Sequence, residues 1–382
     1  MRRKAGPSGN GPGGSSGRDT TGRRSPPNTS GCSSKSPGPM SKIAVVIVNF
    51  NTGTLLRECL GPLFESSEGL GLEVEVVDNG SEDGSADGAS RKFPEMRLSR
   101  TGRNLGFAAA ANIALRRIRD EGRADYVLLL NPDVAVEGTS IARLAEYLDS
   151  HPDVGAVGPA LVLPDGRFQA GAGGFLPTAR TGFAYFFFPF KVFPGLRSIF
   201  LDQAAFARRG ITARVEWLSG ACLMFRRAVL ERAGLLDETF FLYGEDIAWG
   251  KAMGEAGIEI RFHPKARVVH HHGASANKAF PGANTIWLDM VYRFVRKESG
   301  AWAYALFRLF SVGGFFLRWA GYSLAGLRPG GLAARRSARD NARFLSFSIF
   351  GSRLAGIGKR PDATQGQDED SSGPGHSKTA GT

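Results

Sequence analysis

The chain alternates short apolar runs with helical stretches, and this alternation leaves few folds open. Ile43–Val48 is a continuous apolar and largely β-branched run, which is typical of a strand buried on both faces. Further strands are predicted at 74–77, 96–99 and 126–130, and helices at 54–64, 108–118 and 141–148, with one more between 83 and 96. Such an alternation predicts an α/β fold with a mostly parallel sheet and helices on both faces.

Polar clusters directly follow three of these predicted strands. They are Asn49-Phe-Asn51, Asp78-Asn79-Gly-Ser and Asn131-Pro-Asp133. Each cluster alone is equally well explained as a helix cap or a turn. Ligands of α/β sheets bind outside the carboxyl ends of the strands, so three such clusters together favour a binding site there. Neither a G-x-G-x-x-G pattern after the first strand nor a G-x-x-x-x-G-K-[ST] pattern occurs, which argues against dinucleotide and P-loop sites.

The two ends of the chain differ in composition from its middle. The 382 residues carry 48 Lys and Arg against 36 Asp and Glu, a net charge of +12. Residues 1–40 are rich in Gly, Pro and Ser, with seven basic residues and one acid, and we expect a disordered basic tail. They lack the apolar segment of a secretory signal, and Met40 is an alternative start. Residues 359–382 form a second polar tail that we also expect to be disordered.

Cysteine usage indicates a reducing environment. The chain has three cysteines, Cys32, Cys59 and Cys222, which are far apart. This spacing fits neither a disulfide framework nor a metal site. A cytosolic setting is therefore favoured.

Seven short motifs occur in order between residues 42 and 275. They are VVIVNFN (45–51), VVDNGS (76–81), NLGF (104–107), LLLNPDV (128–134), WLSGACLMFR (217–226), DETFFLYGED (237–246) and ARVVHHHGAS (266–275). In order and spacing this set resembles the motifs of family 2 glycosyltransferases, and the NPD and YGED forms are most similar to the rhamnosyltransferase-like branch. The resemblance implies a GT-A type, Rossmann-like fold at 41–275, a divalent metal, and a single displacement that inverts the anomeric centre. The region 276–358 would be helical and lie at a membrane surface.

The resemblance places the general base in the motif that contains Glu245 and Asp246. An inverting transfer needs a base that removes the acceptor hydroxyl's proton on the face opposite the leaving group. We assign this role to Asp246, with Glu245 as an acceptor-positioning residue or structural partner. Two acids at a helix start also complement the helix dipole, which is the alternative explanation. Ala248 stands where the family often has a further acid.

The same resemblance implies a site for Mn²⁺ or Mg²⁺. Asp133 matches the metal-holding acid of the family, and His270 aligns with a histidine that completes the metal site or contacts the diphosphate. Hard cations take one or two carboxylates and complete their coordination with phosphate and water. An imidazole among oxygen ligands favours Mn²⁺. The alternative for His270 is a partly exposed histidine at a strand end.

The remaining motif residues are assigned to the nucleotide-diphospho-sugar donor. Asp78 matches the carboxylate that binds the pyrimidine ring, and an acceptor-only carboxylate suits an imide N–H. Asn131 stands where other branches carry a second acid, and Arg103 is either a phosphate ligand or a solvated surface residue. The donor-binding set is Asn49, Asn51, Asp78, Asn79, Arg103, Asn104, Gly106, Asn131 and Gly220.

Two apolar segments indicate where the acceptor binds. The stretch 183–193 holds seven aromatic residues, which suit either a buried core or an apolar lip that meets lipid. The stretch 301–327 is apolar but is interrupted by Arg308 and Arg318, so its uncharged runs are too short for a simple spanning helix. It suits either a helix at an anionic membrane surface or a helical cap on the catalytic domain. We therefore expect a glycan or polyprenyl-diphosphate-linked acceptor and a peripheral location at the cytoplasmic face of the cell membrane.

Other functions fit the sequence less well. A processive polysaccharide synthase would need long apolar runs for a channel and a Gln-x-x-Arg-Trp motif, and neither is found. A basic nucleic-acid-binding protein agrees with the net charge, but no zinc, helix-turn-helix or RNA-binding signature occurs, so no nucleic acid is expected. A non-catalytic sugar-binding relative disagrees with the presence of Asp78, Asp133 and Asp246 together.

Overall fold

The computed structural model describes residues 41–66, 70–187, 197–271 and 285–351. Its strands are β1 (Lys42–Asn49), β2 (Gly71–Asp78), β3 (Arg97–Arg100), β4 (Tyr126–Leu130), β5 (Val134–Val136), β6 (Val154–Val162), β7 (Gly173–Gly174), β8 (Ala213–Val215), β9 (Trp217–Leu218), β10 (Cys222–Arg226) and β11 (Glu259–His270). Its helices are α1 (Leu55–Ser66), α2 (Ser85–Lys92), α3 (Phe107–Glu121), α4 (Ser140–Ser150), α5 (Ala179–Phe187), α6 (Gln203–Arg209), α7 (Val229–Arg232), α8 (Glu245–Glu255), α9 (Ile286–Ala325) and α10 (Leu332–Phe350). The predicted tails, 1–40 and 359–382, lie outside the described residues.

A single large sheet organises the first part of the chain. Its strand order within the described residues is β3-β2-β1-β4-β10-β6-β11-β5, and β8 pairs with β11 at its side. The pairs from β3 to β4 are parallel, whereas β10 runs antiparallel to both of its neighbours. The sheet is thus parallel on the side of the first motifs and mixed on the other.

Strand β1 is an inner strand of the sheet and is buried on both faces, as its composition predicts. Ile43, Val45 and Ile47 pack into one apolar cluster with α1, α2 and α4. Its alternate residues, Ala44, Val46 and Val48, pack into a second cluster with α3, α7 and α8. The alternation follows from the period of two of an extended strand, and it places helices on both faces of the sheet.

The last two helices form a third apolar cluster beside this sheet. α9 packs on α5, on α10 and on Trp217 and Ile247. Its backbone breaks at Gly300, whose φ of 80° is outside the helical region, so α9 consists of two helical segments. Glycine adopts this conformation at little cost. The aromatic stretch 183–193, predicted to be either a buried core or an apolar lip, is described only as far as residue 187. Phe186 is buried there and Phe183 is partly exposed.

By length and composition α9 is apolar enough to cross a membrane. Most of its most apolar stretch is not buried inside the protein. The sequence prediction, based on uncharged run length, excluded a simple span because of Arg308 and Arg318. Both arginines turn toward the protein. Arg308 donates from Nε to the Ser348 carbonyl (2.6 Å), and Arg318 donates to the Tyr185 carbonyl (2.6 Å). The outer face of the α9 segment after Gly300 is therefore apolar.

Candidate active site

The carboxyl ends of β1 and β2 are joined by Asn49 and Asp78, which pair in register. Both side chains are buried. The Asn49 amide donates to Asp78 Oδ1 (3.1 Å), to Ser81 Oγ (3.0 Å) and to Ser85 Oγ (2.9 Å). Asn49 therefore fixes both the carboxylate of Asp78 and the loop that follows β2.

Asn51 completes this loop from the other side. Its backbone has a φ of 50°, a left-handed conformation that asparagine tolerates better than most residues. Its N–H donates to Ser81 Oγ (3.0 Å), and its Oδ1 accepts from the Glu82 N–H (2.9 Å). In the described structure Asn49 and Asn51 are thus framework residues that shape the predicted donor site.

Asn79 and Asn104 hold the next loop in the same way. Asn79 donates to Asn104 Oδ1 (2.9 Å), and its own Oδ1 accepts from the Leu105 N–H (2.9 Å). Gly106 has a φ of 86°, and an added Cβ would lie 2.7 Å from the Phe241 carbonyl oxygen. Any other residue at 106 would therefore push apart this loop and the segment that leads into α8.

Asp133 and His270 lie next to each other. β5 pairs antiparallel with β11 so that His270 is opposite Val134, and this register brings Asp133 to the histidine. His270 Nε2 lies 3.1 Å from Asp133 Oδ1, and His270 Nδ1 lies 2.6 Å from Gln169 Oε1. All three side chains are buried, so His270 is not the partly exposed strand-end histidine of the alternative interpretation. His271 is exposed, and His272 lies outside the described residues.

The Asp133 and His270 pair has the chemistry of a partial metal site. If Nδ1 donates its proton to Gln169 Oε1, the lone pair of Nε2 faces a carboxylate oxygen, and a cation between the two acceptors would satisfy both. A group of three or more His, Cys, Asp or Glu side chains placed to hold a metal does not occur in the described part of the chain. The two residues therefore fit a Mn²⁺ or Mg²⁺ ion that takes its other ligands from phosphate and water.

Two carboxylates open α8. Gly244 precedes the helix with a φ of 96°, and Glu245 and Asp246 occupy its first turn. Glu245 is buried, and its Oε2 has no hydrogen-bond partner among the described residues. Asp246 is half-buried, and its Oδ1 accepts from the Ile247 N–H (2.8 Å). Asp246 is thus the more accessible of the two acids, as a group that meets an acceptor must be.

The environment of these acids favours their neutral forms. Burial, followed by the charge of Asp246, raises the pKa of Glu245 to about 8. Burial also raises the pKa of Asp246 to about 6, although hydrogen bonds from the Ile247 and other backbone N–H groups oppose this shift. A carboxyl with a pKa near neutrality suits general base catalysis, because it is both ionised and basic at the working pH.

Tyr243 lies within electrostatic range of Glu245, Asp246 and Asp133. Burial raises its pKa to about 12, and the charges of Glu245, Asp133 and Asp246 add to this shift. Its φ of 62° is unusual for an aromatic residue. Strained backbone of this kind clusters at functional sites. Sequence reasoning did not single out Tyr243, although its place directly before Gly244 in the YGED motif was a usable signal.

The other predicted donor residues have less defined positions. Asn131 lies beside the segment that contains Gly220, because its N–H donates to the Ala221 carbonyl (2.9 Å). An added Cβ at Gly220 would make only ordinary contacts with Phe107, so the described chain itself does not require glycine there. The Arg103 side chain is exposed. Gln169 was missed entirely, since it follows β6 in a loop with no motif.

The chain is similar in sequence to known glycosyltransferases. A sequence model described as "Glycosyltransferase like family 2" matches residues 39–287. An N-acetylglucosaminyl-diphospho-decaprenol L-rhamnosyltransferase of Mycobacterium tuberculosis (strain CDC 1551 / Oshkosh) is 31% identical over 284 residues, 72% of this chain and 91% of that protein. The rhamnosyltransferase WbbL of Escherichia coli (strain K12) is 22% identical over 204 residues, 50% of this chain and 71% of that protein.

A solved mannosyltransferase of Pyrobaculum calidifontis, in complex with GDP-Man and Mn²⁺, is 18% identical, with a TM-score of 0.46 and coverage of 82% of this chain and 87% of that chain. The family match spans the whole sheet and includes Asp133, Glu245, Asp246 and His270. This family match confirms the sequence prediction of a GT-A type transferase fold. The chain therefore belongs to family 2 of the glycosyltransferases and is of the rhamnosyltransferase-like kind.

Proposed function

We propose that this glycosyltransferase moves rhamnose from dTDP-rhamnose to a polyprenyl-diphosphate-linked sugar in cell-envelope glycan synthesis. The observation that carries the proposal is that the charges of Asp133, Glu245 and Asp246 all act on the side chain of Tyr243, while His270 contacts Asp133. The relative from Mycobacterium tuberculosis is named for an N-acetylglucosaminyl-diphospho-decaprenol acceptor and for rhamnosyl transfer. That name supports the same classes of donor and acceptor for this chain.

In the proposed reaction each side chain has one task. Asp78, held by Asn49, accepts from the imide N–H of the donor's pyrimidine. Asp246 removes the proton of the acceptor hydroxyl as that oxygen attacks the anomeric carbon. Glu245 is largely protonated at neutral pH and so adds little negative charge beside the base. A divalent ion held by Asp133 and His270 would offset the charge that develops on the departing diphosphate.

We further propose that the outer face of α9 and α10 lies on the anionic cytoplasmic surface of the membrane. This face exposes large apolar side chains that a protein in water normally covers. Trp302 is 90% exposed, and Leu309 is 64% exposed. The others with substantial exposure are Leu306, Phe316, Leu317, Trp319, Tyr322, Leu324, Leu327, Leu332, Ile349 and Phe350. A helix that combines such a face with basic residues suits the interface rather than a full span.

The proposal is tested with purified full-length protein, a panel of nucleotide sugars, and polyprenyl-diphospho-N-acetylglucosamine in detergent micelles. We expect turnover with dTDP-rhamnose in Mn²⁺ or Mg²⁺, loss of turnover with a chelator, and recovery when the metal is restored. A different productive donor would overturn the choice of rhamnose alone. Equal turnover with and without chelator would overturn the metal dependence.

A further inference from the structure

A basic cavity lies between α9 and α10, away from the catalytic pairs. Its volume is about 700 Å³. Four cationic side chains line it, together with the rings of Tyr304 and Phe347: Arg293, Arg296, Lys297 and Arg308. Asp289 is the acid in its lining. Four cations against one acid in a concave site favour an anionic ligand.

The cations of the cavity differ in how strongly the protein already uses them. Arg308 donates to the Ser348 and Ile349 carbonyls and so holds the end of α10. Arg293 pairs with Asp289 one helical turn away (2.8 Å), an exposed contact of small energy. Arg296 lies over the ring of Tyr304, 5.8 Å from its centroid. The guanidinium groups of Arg293 and Arg296 are therefore the ones best placed to bind an anion.

Apolar side chains surround the end of α10 beside this cavity. Ile349 and Phe350, directly before the lining residue Gly351, are 46% and 56% exposed. Trp302, next to the Gly300 break in α9, is almost wholly exposed. A ligand with an anionic head and a hydrocarbon tail matches this combination, because the head would meet the basic cavity and the tail the exposed apolar side chains.

The cavity is also connected to the segment that leads into the catalytic helix. Lys297 Nζ lies 3.0 Å from Asp237 Oδ2, and its ammonium lies over the ring of Phe240. An added Cβ at Gly244 would lie 3.2 Å from the Cβ of Met290, so α9 packs directly on the start of α8. A ligand in the cavity would thus be held by the same helix that supports Glu245 and Asp246.

We propose that this cavity binds the phosphate group of an anionic membrane lipid and so orients the enzyme on the bilayer. The inference rests on the membrane contact proposed above and adds a defined site to it. Arg293 and Arg296 bind the phosphate, and the hydrocarbon chains lie along the exposed apolar side chains of α9 and α10. The two lipid sources with this chemistry are an anionic phospholipid and a polyprenyl phosphate.

The test measures flotation of the full-length protein with vesicles. Neutral phosphatidylcholine vesicles are compared with vesicles that also contain phosphatidylglycerol or a polyprenyl phosphate, and with neutral vesicles in inorganic phosphate. The variant Arg293→Gln/Arg296→Gln is compared with Arg336→Gln/Arg339→Gln, which removes the same charge from exposed positions of α10 outside the cavity. Each basic residue near an anionic surface contributes a factor of about 5 in binding.

We expect the wild type to float better with vesicles that contain the anionic lipid than with phosphatidylcholine alone, whose phosphate is balanced by choline, and inorganic phosphate to have no such effect. The cavity variant should lose more than about 25-fold in binding to anionic vesicles, since it removes two such factors and the site geometry as well, while the α10 variant loses at most about 25-fold. The lipid that gives the cavity-dependent increase identifies the source. Equal losses in the two variants would overturn the cavity, because they would indicate diffuse charge attraction.

Failure of the membrane proposal gives a different result. In that case the wild type would stay unbound with every vesicle. Transfer to an acceptor in detergent micelles provides an independent check on folding and chemistry, and the cavity variant should retain it. A cavity variant that binds vesicles as the wild type does would overturn this inference and leave the membrane contact intact.

Discussion

Glu245 and Asp246 show how burial sets the chemistry of single residues at this site. Two adjacent carboxylates at a helix start gain some stabilisation from the helix dipole. Burial nevertheless dominates, and it raises the pKa of both groups. The sequence predicts the two acids and their place on the helix, but burial depends on the packing of α9 against Gly244, which no local pattern predicts.

The raised pKa of Glu245 predicts a pH-dependent gain in stability for Glu245→Gln. The folded-state pKa of about 8 lies above the unfolded value near 4.3, so the folded state binds the proton more tightly. The wild type therefore loses stability as pH rises from about 4 to about 8, and a neutral Gln does not. We expect the melting temperature of the variant, relative to wild type, to increase from pH 5 to pH 8. A pH-independent difference would contradict a buried acid at 245.

Gln169 is the clearest residue that only the structure reveals. Its Oε1 contacts His270 Nδ1, which fixes the orientation of the imidazole that faces Asp133. Gln169→Leu should weaken Mn²⁺-dependent binding of dTDP by about 10–100-fold, the usual cost of losing such an outer contact. Calorimetry with and without chelator measures this effect. Gln169→Glu, which restores an acceptor, should recover much of the affinity, whereas equal binding by the Leu variant would refute the role.

Among the elements, the parallel strands were the most predictable and the distant pairings the least. The apolar run of β1 and the whole of β4 match the predicted strands, and the polar clusters after β1, β2 and β4 meet at one edge. The antiparallel pairing of β5 with β11 is not visible in local sequence, because it joins residues more than 130 positions apart. That pairing is nevertheless what places His270 beside Asp133.

The contact between α5 and α9 depends on glycine. An added Cβ at Gly314 would lie 2.5 Å from the Cβ of Phe186, whereas Gly321 on the same helix has open space. Gly314→Ala should lower the free energy of unfolding by about 1–3 kcal/mol through overpacking. Gly321→Ala is the matched control and should raise it by up to about 1 kcal/mol. Urea denaturation compares the two, and a stabilising Gly314→Ala would refute the close packing.

At the scale of the whole molecule, the charges behind the net value of +12 are unevenly distributed. The acids of the site lie at the sheet edge, and many of the basic residues lie on α9 and α10 with the exposed apolar side chains. Run-length reasoning could not separate these faces, because it counts Arg308 and Arg318 as interruptions. The structure shows both side chains bonded to backbone carbonyls of the protein.

Leu309→Glu tests whether this apolar face meets the membrane. Leu309 is 64% exposed, so the change should affect stability little, but a charge on a membrane-facing surface should reduce vesicle binding several-fold. Ile211→Glu is the matched control, since Ile211 is 53% exposed outside α9 and α10. Vesicle sedimentation measures both variants. Equal binding by the two variants would place the membrane contact elsewhere.

The central claim is that this edge of the sheet transfers a sugar with Asp246 as the base. Its most direct measurement is the rate of rhamnosyl-lipid formation by wild type and Asp246→Asn, with dTDP-rhamnose, Mn²⁺ and the polyprenyl-diphospho-sugar acceptor. The exposed Asp120→Asn serves as the matched control. We predict that Asp246→Asn loses at least about 100-fold in rate while it binds dTDP as wild type does, and that Asp120→Asn is unchanged. An Asp246→Asn enzyme that forms product at the wild-type rate would contradict the account.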